Sequence, residues 1–599
     1  IQYNAEGECE WAKAIASGRE SNITSIAKAA ETGVIIGGYF EGDLESPTSI
    51  TNKGNFDGLI IKYDKEEVAN ALVNQAKGIG GSSDDRIAAV AETSDGGYVT
   101  GGYFSKDIDL GNGVILSSKG YRNGMIIKYS AEGEIEWAKV IGDTSSDEIT
   151  SLAETSDGGI IAGGYFQSSS IDFGNGTVLV NKGYGDGMII KYSAEGEIEW
   201  AKVIGGNNSD RINENTIAIC NDGGVIVGGY FNSDSIDLGN EKNLINLSQN
   251  QYSNIRKEGM IVKYSAEGVC EWAKRIGGNY NDEISSIQEC KDGSIVVVGS
   301  FDSDSIDLGN GVRIENHIRE KDGTTLYDDG MIIKYNAEGE CEWAKGIGGS
   351  SDEKIKSVAE TSDGGIIVAG TFGSDSSIDL GNGITLTKKG PDYTDGMIIK
   401  YNAEGECEWA KAVGTTRYDY IESITTTEDK GFVICGYFNG QNYCKETMEL
   451  GNGINIVGKD SGMIIKYDAT GKCEWAKSIG GNSSTYITSV VEDLGGNIIT
   501  GGRSGNSTIK IDGKVLTNKG SWDGILFKIT NKTGVPETQE LTVENKRKEL
   551  KITTDIQKID GTKGGSISGE DANPYETVKY GDSSTKEIKM TPDENYEII

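Results

Sequence analysis

From Gly124 to Gly142 the chain reads GMIIKYSAEGEIEWAKVIG, and from Gly187 to Gly205 it reads the same nineteen residues again, sixty-three positions on. Self-similarity at such a period restricts the fold to arrays, solenoids and propellers, because each unit must bury its apolar face against its neighbours. The Trp-Ala-Lys marker tracks the period along the chain. Tryptophans stand at Trp11, Trp137, Trp200, Trp272, Trp343, Trp409 and Trp475, Gln75 holds the second place, and the spacings run from 62 to 72 residues, so eight units fit the 599-residue chain.

Each unit carries four strand-like phrases, lettered A to D. Between Asp147 and Gly205 they are DEITSLAET, GGIIAGGYF, GMIIKYSAEG and GEIEWAKVIGG, with a hairpin, SIDFGNGTVLVNKG, between B and C. Asp-Gly, Glu-Gly and Asn-Gly pairs mark the boundaries, as tight β-turns requiring positive φ demand. No stretch repeats apolar residues at 3.6, so almost no helix is expected. The B phrase is apolar on both faces (Ile160, Ile161, Ala162, Tyr165, Phe166), which places it in a sheet covered on both sides. Its Gly163-Gly164 pair lets neighbouring backbones approach closely. Small four-stranded sheets that cover one another are the blades of a β-propeller.

Eight A strands begin near Ile23, Ile87, Ile149, Ile212, Ile284, Ile355, Ile421 and Ile487, but the D strands are offset: GECEWAKAI precedes every A strand, and the last unit ends at its C strand, DGILFKITN. Letting the N-terminal D strand complete the last blade removes two bare sheet edges. The predicted fold is therefore all-β: an eight-bladed β-propeller of four-stranded blades over 1–531, closed by pairing Gly7 to Ile15 with Gly524 to Ile529. A connector is expected over 532–549 and a small, partial β module over 550–599. The insertion around EEVANALVNQ and the missing LGNG turn of KIDGKVL put only local packing at issue.

The order IGGSSDDRIAAVAETSDGGYVTGGYF, IDLGNG, NGMIIKYSAEGEIEWAK resembles the bacterial SBBP-type β-propeller repeats of large secreted and surface proteins. More distantly it resembles WD40 propellers, without their Gly-His and Trp-Asp signatures. The tail, with GGSIS, YGDS and TPDENYEI phrases, resembles β-rich repeat modules of Gram-positive surface proteins and stops in mid-module. The resemblance implies an exported, multi-domain parent at the cell surface or outside the cell. The opening Ile1-Gln2-Tyr3 aligns with the tail of a repeat, so the sequence reads as a fragment or mature product.

Composition narrows the function. A formal charge of −36, from 93 acidic and 57 basic residues, argues against binding a phosphate backbone. No apolar run approaches the length of a membrane-spanning helix. Cys9, Cys270, Cys341, Cys407 and Cys473 share a register with Ile135 and Ile198, so they are expected to be small buried hydrophobes with free thiols. His317 is the one histidine and lies in a polar insertion. With neither a His-based triad nor a nucleotide or metalloprotease motif, the chain is expected not to be an enzyme.

Two features remain as site candidates. Asp85, Asp147, Asp210, Asp282, Glu353 and Asp419 stand two residues before the first isoleucine of their A strands, with Ser21 and Thr485 at the remaining places. In a ring these carboxylates circle one mouth. They either cap their own turns or attract a cation, for which calcium, a binder of clustered oxygens, is the expected cofactor. The SDSIDLGN loops (Asp234, Asp237; Asp304, Asp307; Asp375, Asp379) are a second calcium candidate. The long D-to-A and B-to-C connections share one face, and those of the fourth and fifth units concentrate Tyr252, Arg256, Lys257, Arg313, Arg319, Lys321 and Tyr327 on an otherwise acidic protein. They read either as loop drift or as a recognition patch for a protein or acidic glycan. The leading expectation is a monomeric, non-catalytic binding or adhesion module. A structural spacer is the second reading, and a propeller hydrolase or lyase acting on a polysaccharide the third.

Overall fold

The computed structural model describes most of residues 13–529 and two strands beyond them; residues 1–12, 65–74, 248–255, 318–326, 440–445, 493–497, 518–522, 530–539, 545–574, 580–599 and some shorter segments lie outside the described residues. The chain divides into two compact units, Ile1–Asn531 and Lys532–Ile599.

In the first unit the four phrases become strands as the turn chemistry predicts. Asp147–Glu154, Ile160–Phe166, Asp186–Tyr192 and Ile198–Ile204 form one antiparallel sheet in chain order, and Ser170–Asp172 pairs with Val178–Val180 as the hairpin between B and C. Seven sheets have this A-B-C-D build. The remaining sheet joins Thr485–Glu492, Ile498–Ser504, Asp523–Ile529 and the N-terminal Lys13–Ser17, and adds Leu44–Ser46 as a fifth strand. The expectation of eight four-stranded blades is corrected accordingly: seven blades are four-stranded, and the closing sheet has five strands because Leu44–Ser46 pairs with the outer edge of Lys13–Ser17. Within that sheet Lys13, Ala14 and Ile15 lie opposite Leu526, Ile525 and Gly524. Gly7 to Trp11, the rest of the predicted closing strand, fall outside the described residues. Neighbouring A strands touch in succession, and the last, Thr485–Glu492, touches the first, Ser21–Ala29, so the sheets form a closed ring.

Six C strands, Asp186–Tyr192 among them, are buried along their whole length. This burial includes a lysine in each of six C strands (Lys128, Lys191, Lys263, Lys334, Lys400, Lys466). Lys191 Nζ reaches Asp157 Oδ2 at 2.7 Å, from the A-to-B turn, and Glu199 Oε2 at 3.0 Å, from the D strand. Burial works against its charge, yet those two partners hold its pKa above the ordinary value. The hydrogen bond from Lys191 is the main reason Asp157 falls to about 2. The Asp-Gly turn and the Glu-Trp dipeptide therefore recur because each neutralises the buried lysine of its own blade.

The glycine pair of the B strand acts as predicted. A Cβ on Gly163 would lie 2.7 Å from Ile217 Cδ1 of the next sheet, and one on Gly164 would lie 2.0 Å from the Glu148 carbonyl oxygen of its own. The tryptophans hold neighbouring sheets together. Trp137, Trp200, Trp272 and Trp343 each donate their indole N–H to an alanine carbonyl in the C-to-D turn of the next sheet, Ala194, Ala266, Ala337 and Ala403, at 2.8–3.1 Å. The turn glycine beside each ring, such as Gly405 at φ +78°, sits against the indole, and a Cβ there would lie 2.6 Å from Trp343. Seven cysteines are described, all buried and unpaired.

The second unit shows one antiparallel pair, Glu540–Glu544 with Tyr575–Lys579. Its first strand lies inside the segment expected to be a connector, 532–549, so that segment contributes a strand to the C-terminal unit. Trp343→Ala removes both an inter-sheet hydrogen bond and a ring packed on Gly405 and Tyr401, and is expected to lower stability by about 3 kcal/mol, measured as a shift in denaturation midpoint.

Candidate functional site

The D-to-A and B-to-C connections emerge on one face, where the A and C strands begin. The register acids lie beneath this face, and five of them tie a D-to-A connection to a B-to-C connection. Asp210 Oδ1 accepts hydrogen bonds from the Asn232 and Ser233 amides at 2.9 and 3.1 Å, and its Oδ2 accepts from the Gly206 amide at 2.9 Å and Ser233 Oγ at 2.5 Å. Asp147 repeats this with Gln167, Ser168 and Asp143. Asp282 does so with Ser303 and Gly278, Glu353 with Gly373 and Gly349, and Asp419 with Thr415. Asp85 accepts from the Ser105 amide at 2.9 Å.

All six are at most 1% exposed. The expected cation ring is therefore corrected: Asp85, Asp147, Asp210, Asp282, Glu353 and Asp419 point into the loops, not into the mouth, and their lone pairs serve amides and hydroxyls as turn caps. Burial raises the pKa of Asp147, Asp210 and Asp419 and carries Asp282 to about 7. Among the described residues no three His, Cys, Asp or Glu side chains gather as a metal site.

Of the basic loop candidates, Tyr252, Arg319 and Lys321 lie outside the described residues. Arg256 rests over the Tyr280 ring at 3.9 Å, and Lys257 lies 4.3 Å from the centre of the Tyr230 ring. Arg313 is turned to its own hairpin, bonding Ser305 and facing Glu315 at 3.5 Å. Tyr327 offers its carbonyl to Asn316 Nδ2 at 3.0 Å. His317 is engaged within its own sheet, with Nδ1 2.8 Å from Asp329 Oδ2. That bond to Asp329 holds its pKa above the usual value.

Two features on this face escaped the sequence reading. The first is a cavity of about 270 Å³ lined by Lys257, Asn281, Asp282, Glu283, Ser300, Asp302 and Asp328. Tyr39, Tyr103, Tyr165, Tyr230 and Tyr437 occupy the register of Ser300 in other sheets, and Thr371 and Arg503 in two more. Burial and the adjoining Asp328 push Asp302 well above the usual carboxylate range. Asp328 is held low against burial by its bond with Asp302 and by the Lys354 ammonium. The two acids are thus pushed in opposite directions. The visible signal was the break from GGYF to VGSF.

The second is an aromatic arc. Tyr393, Tyr418, Tyr420, Tyr437 and Tyr486 form a chain with ring centroids 4.6–6.3 Å apart. Arg417 sits 4.5 Å over Tyr393 and Arg503 5.6 Å over Tyr486. Tyr420 and Tyr486 hold the second position of their A strands, where earlier units carry Arg86, Glu148 and Arg211.

No protein-family model matches the chain. An uncharacterized WD repeat-containing protein of Acanthamoeba polyphaga mimivirus is 22% identical over 86% of this chain and 42% of its own length. The chain is a β-propeller repeat protein. A regulatory protein, FlaEY, of Caulobacter vibrioides is 23% identical over 45% of this chain and 28% of its own length. The chain thus spans less than half the length of these curated relatives. Among solved structures, Sqt1 from Chaetomium thermophilum superposes with a TM-score of 0.41 at 11% identity, covering 87% of this chain and all of that one.

Because Asp210 accepts from four donors, Asp210→Asn turns acceptors into a misplaced donor. It is expected to lower stability by about 1–3 kcal/mol, read from the denaturant midpoint.

Proposed function

We propose that this propeller is a non-catalytic binding module whose partner, a protein, docks on the face bearing the D-to-A and B-to-C connections. The aromatic arc carries the reading. Tyrosine and arginine are enriched among the few residues that dominate binding energy at protein interfaces, since they combine large contact area with directed hydrogen bonds. Here five tyrosines and two arginines cluster on one face of a strongly acidic protein, and Tyr418 is 41% exposed. The phrases shared with SBBP-type repeats and with Gram-positive surface modules support display at the cell surface or outside the cell, in an adhesive role.

A second reading has its own observation. Asp302 and Asp328 bond to each other on an open cavity, Asp302 raised in pKa and Asp328 lowered, and carboxyls pushed apart in this way are the groups that general acid/base hydrolysis draws on. The structural spacer reading needs neither feature.

The whole chain, displayed against protein and glycan arrays, separates the three. Under the binding reading, protein ligands are retained by the parent and weakened at least about tenfold by Tyr420→Ala with Tyr437→Ala, at unchanged fold by circular dichroism. Polysaccharide cleavage lost in Asp302→Asn supports the hydrolase. Binding indifferent to the tyrosine pair sinks the proposed face.

A further inference from the structure

At described seams between sheets, the first residue of a C strand meets the first residue of the next A strand. Several of these meetings join two acids, and the chain resolves them differently. Glu258 beside Asp282 has Arg275 Nη1 3.1 Å from its Oε2. Asp329 is bonded by His317 Nδ1. At another seam the C-strand residue is an amide: Asn123 accepts the Lys119 N–H through Oδ1 at 2.7 Å and donates from Nδ2 to the Asp143 carbonyl, also at 2.7 Å. A basic group or a donor N–H thus accompanies the C-strand residue in each case, while Asp329 keeps an Oδ1 that receives no hydrogen bond among the described residues.

Asp186 and Asp395 occupy the position of Asn123, and one oxygen of each behaves as Asn123 Oδ1 does. Asp186 Oδ2 accepts the Lys182 amide at 2.7 Å, and Asp395 Oδ2 accepts the Lys389 amide. The other oxygen, Oδ1, takes the place of the donating amide nitrogen. Both side chains are 0% exposed, and neither Oδ1 receives a hydrogen bond among the described residues. At Gly414 the missing side chain leaves room between two acids, since a Cβ there would lie 2.7 Å from Asp395 Oδ1 and 2.9 Å from Asp419 Oδ2. Val203 and Ala412 stand where Arg275 does, so no guanidinium reaches either seam.

We infer that Asp186 and Asp395 are carried in the folded ring as neutral carboxylic acids, with a proton on Oδ1 doing the work of the Asn123 amide N–H, and that these two seams loosen when that proton is lost to water. The charged groups facing them are few. Asp186 is met by Asp210 from the next A strand and Lys182 from its own hairpin, whose ammonium turns to the Asp237 carbonyl at 3.4 Å. Asp395 is met by Lys388, Lys389 and Asp419, and Asp419 by Glu446. Burial, the dominant influence, carries both Asp186 and Asp395 to about 7. An acid raised on folding contributes its stability in full below the ordinary carboxylate range and loses it as pH rises through its folded value. The ring is accordingly a device that tightens on acidification through near-neutral pH, the reverse of an ion-paired carboxylate.

The test uses the whole chain and Asp186→Asn with Asp395→Asn, a change for which Asn123 is the chain's own precedent. Glu338→Gln with Glu404→Gln, at exposed turns, is the charge-matched control. At about pH 6 the parent should show the infrared carbonyl stretch of buried protonated carboxylic acids, diminished in the seam variant and not in the control. The melting temperature of the seam variant should exceed the parent's at about pH 8.5 and by much less at about pH 5, while the control shows no such pH-dependent gain. An unchanged carbonyl band, or a seam variant that melts below the parent at about pH 8.5, overturns the inference.

Discussion

Every blade of this ring depends on its neighbour to cover a face it cannot cover itself. A sheet whose B and C strands are apolar on both sides has no stable solution in isolation, and stacking turns that liability into a continuous core. Trp137, Trp200, Trp272 and Trp343 make the dependence directional, each reaching forward to the next C-to-D turn and resting on its glycine. Closure follows from the same requirement. The last sheet lacks a D strand of its own, and the N-terminal strand supplies one at Lys13–Ser17.

The cost of this arrangement is the burial of polar groups where strands must start and stop. Each C strand that carries a lysine into the core brings an Asp from one turn and a Glu from the D strand to meet it. In six units a buried carboxylate on the open face accepts backbone amides of the connections. These are satisfied networks, which rigidify a fold, and they confine variation to residues beyond them. The aromatic arc and the acid-lined cavity lie in that outer layer, on positions the repeat leaves free: the second residue of the A strand and the penultimate residue of the B strand.

The same economy bears on the two site candidates that the sequence offered. The register acids were visible in the sequence, but whether a carboxylate faces a channel or its own loop depends on side-chain direction, which spacing alone does not encode. The basic loop residues were conspicuous by contrast with an acidic chain. Yet Arg256 and Lys257 lie over tyrosines of the scaffold, and Arg313 is held by its hairpin. Charge contrast in a sequence marks an unusual residue without saying what it already touches.

The repeat by itself determined the all-β class, the strand order within each unit, the places of the turns, the buried free thiols and the need for the chain ends to meet. These follow from local turn chemistry and from periodic burial, both of which are written along one dimension. Only the tertiary structure decided which seams hold a cation, an amide or an unrelieved pair of acids, because those partners come from strands tens of residues apart. It alone placed Ser300, where other sheets carry Tyr165 or Tyr230, on the wall of a cavity, and showed that five tyrosines scattered between Tyr393 and Tyr486 stand as one arc. A packed face is specified by pattern, whereas a site is made where the pattern is broken and neighbouring units supply what surrounds the break.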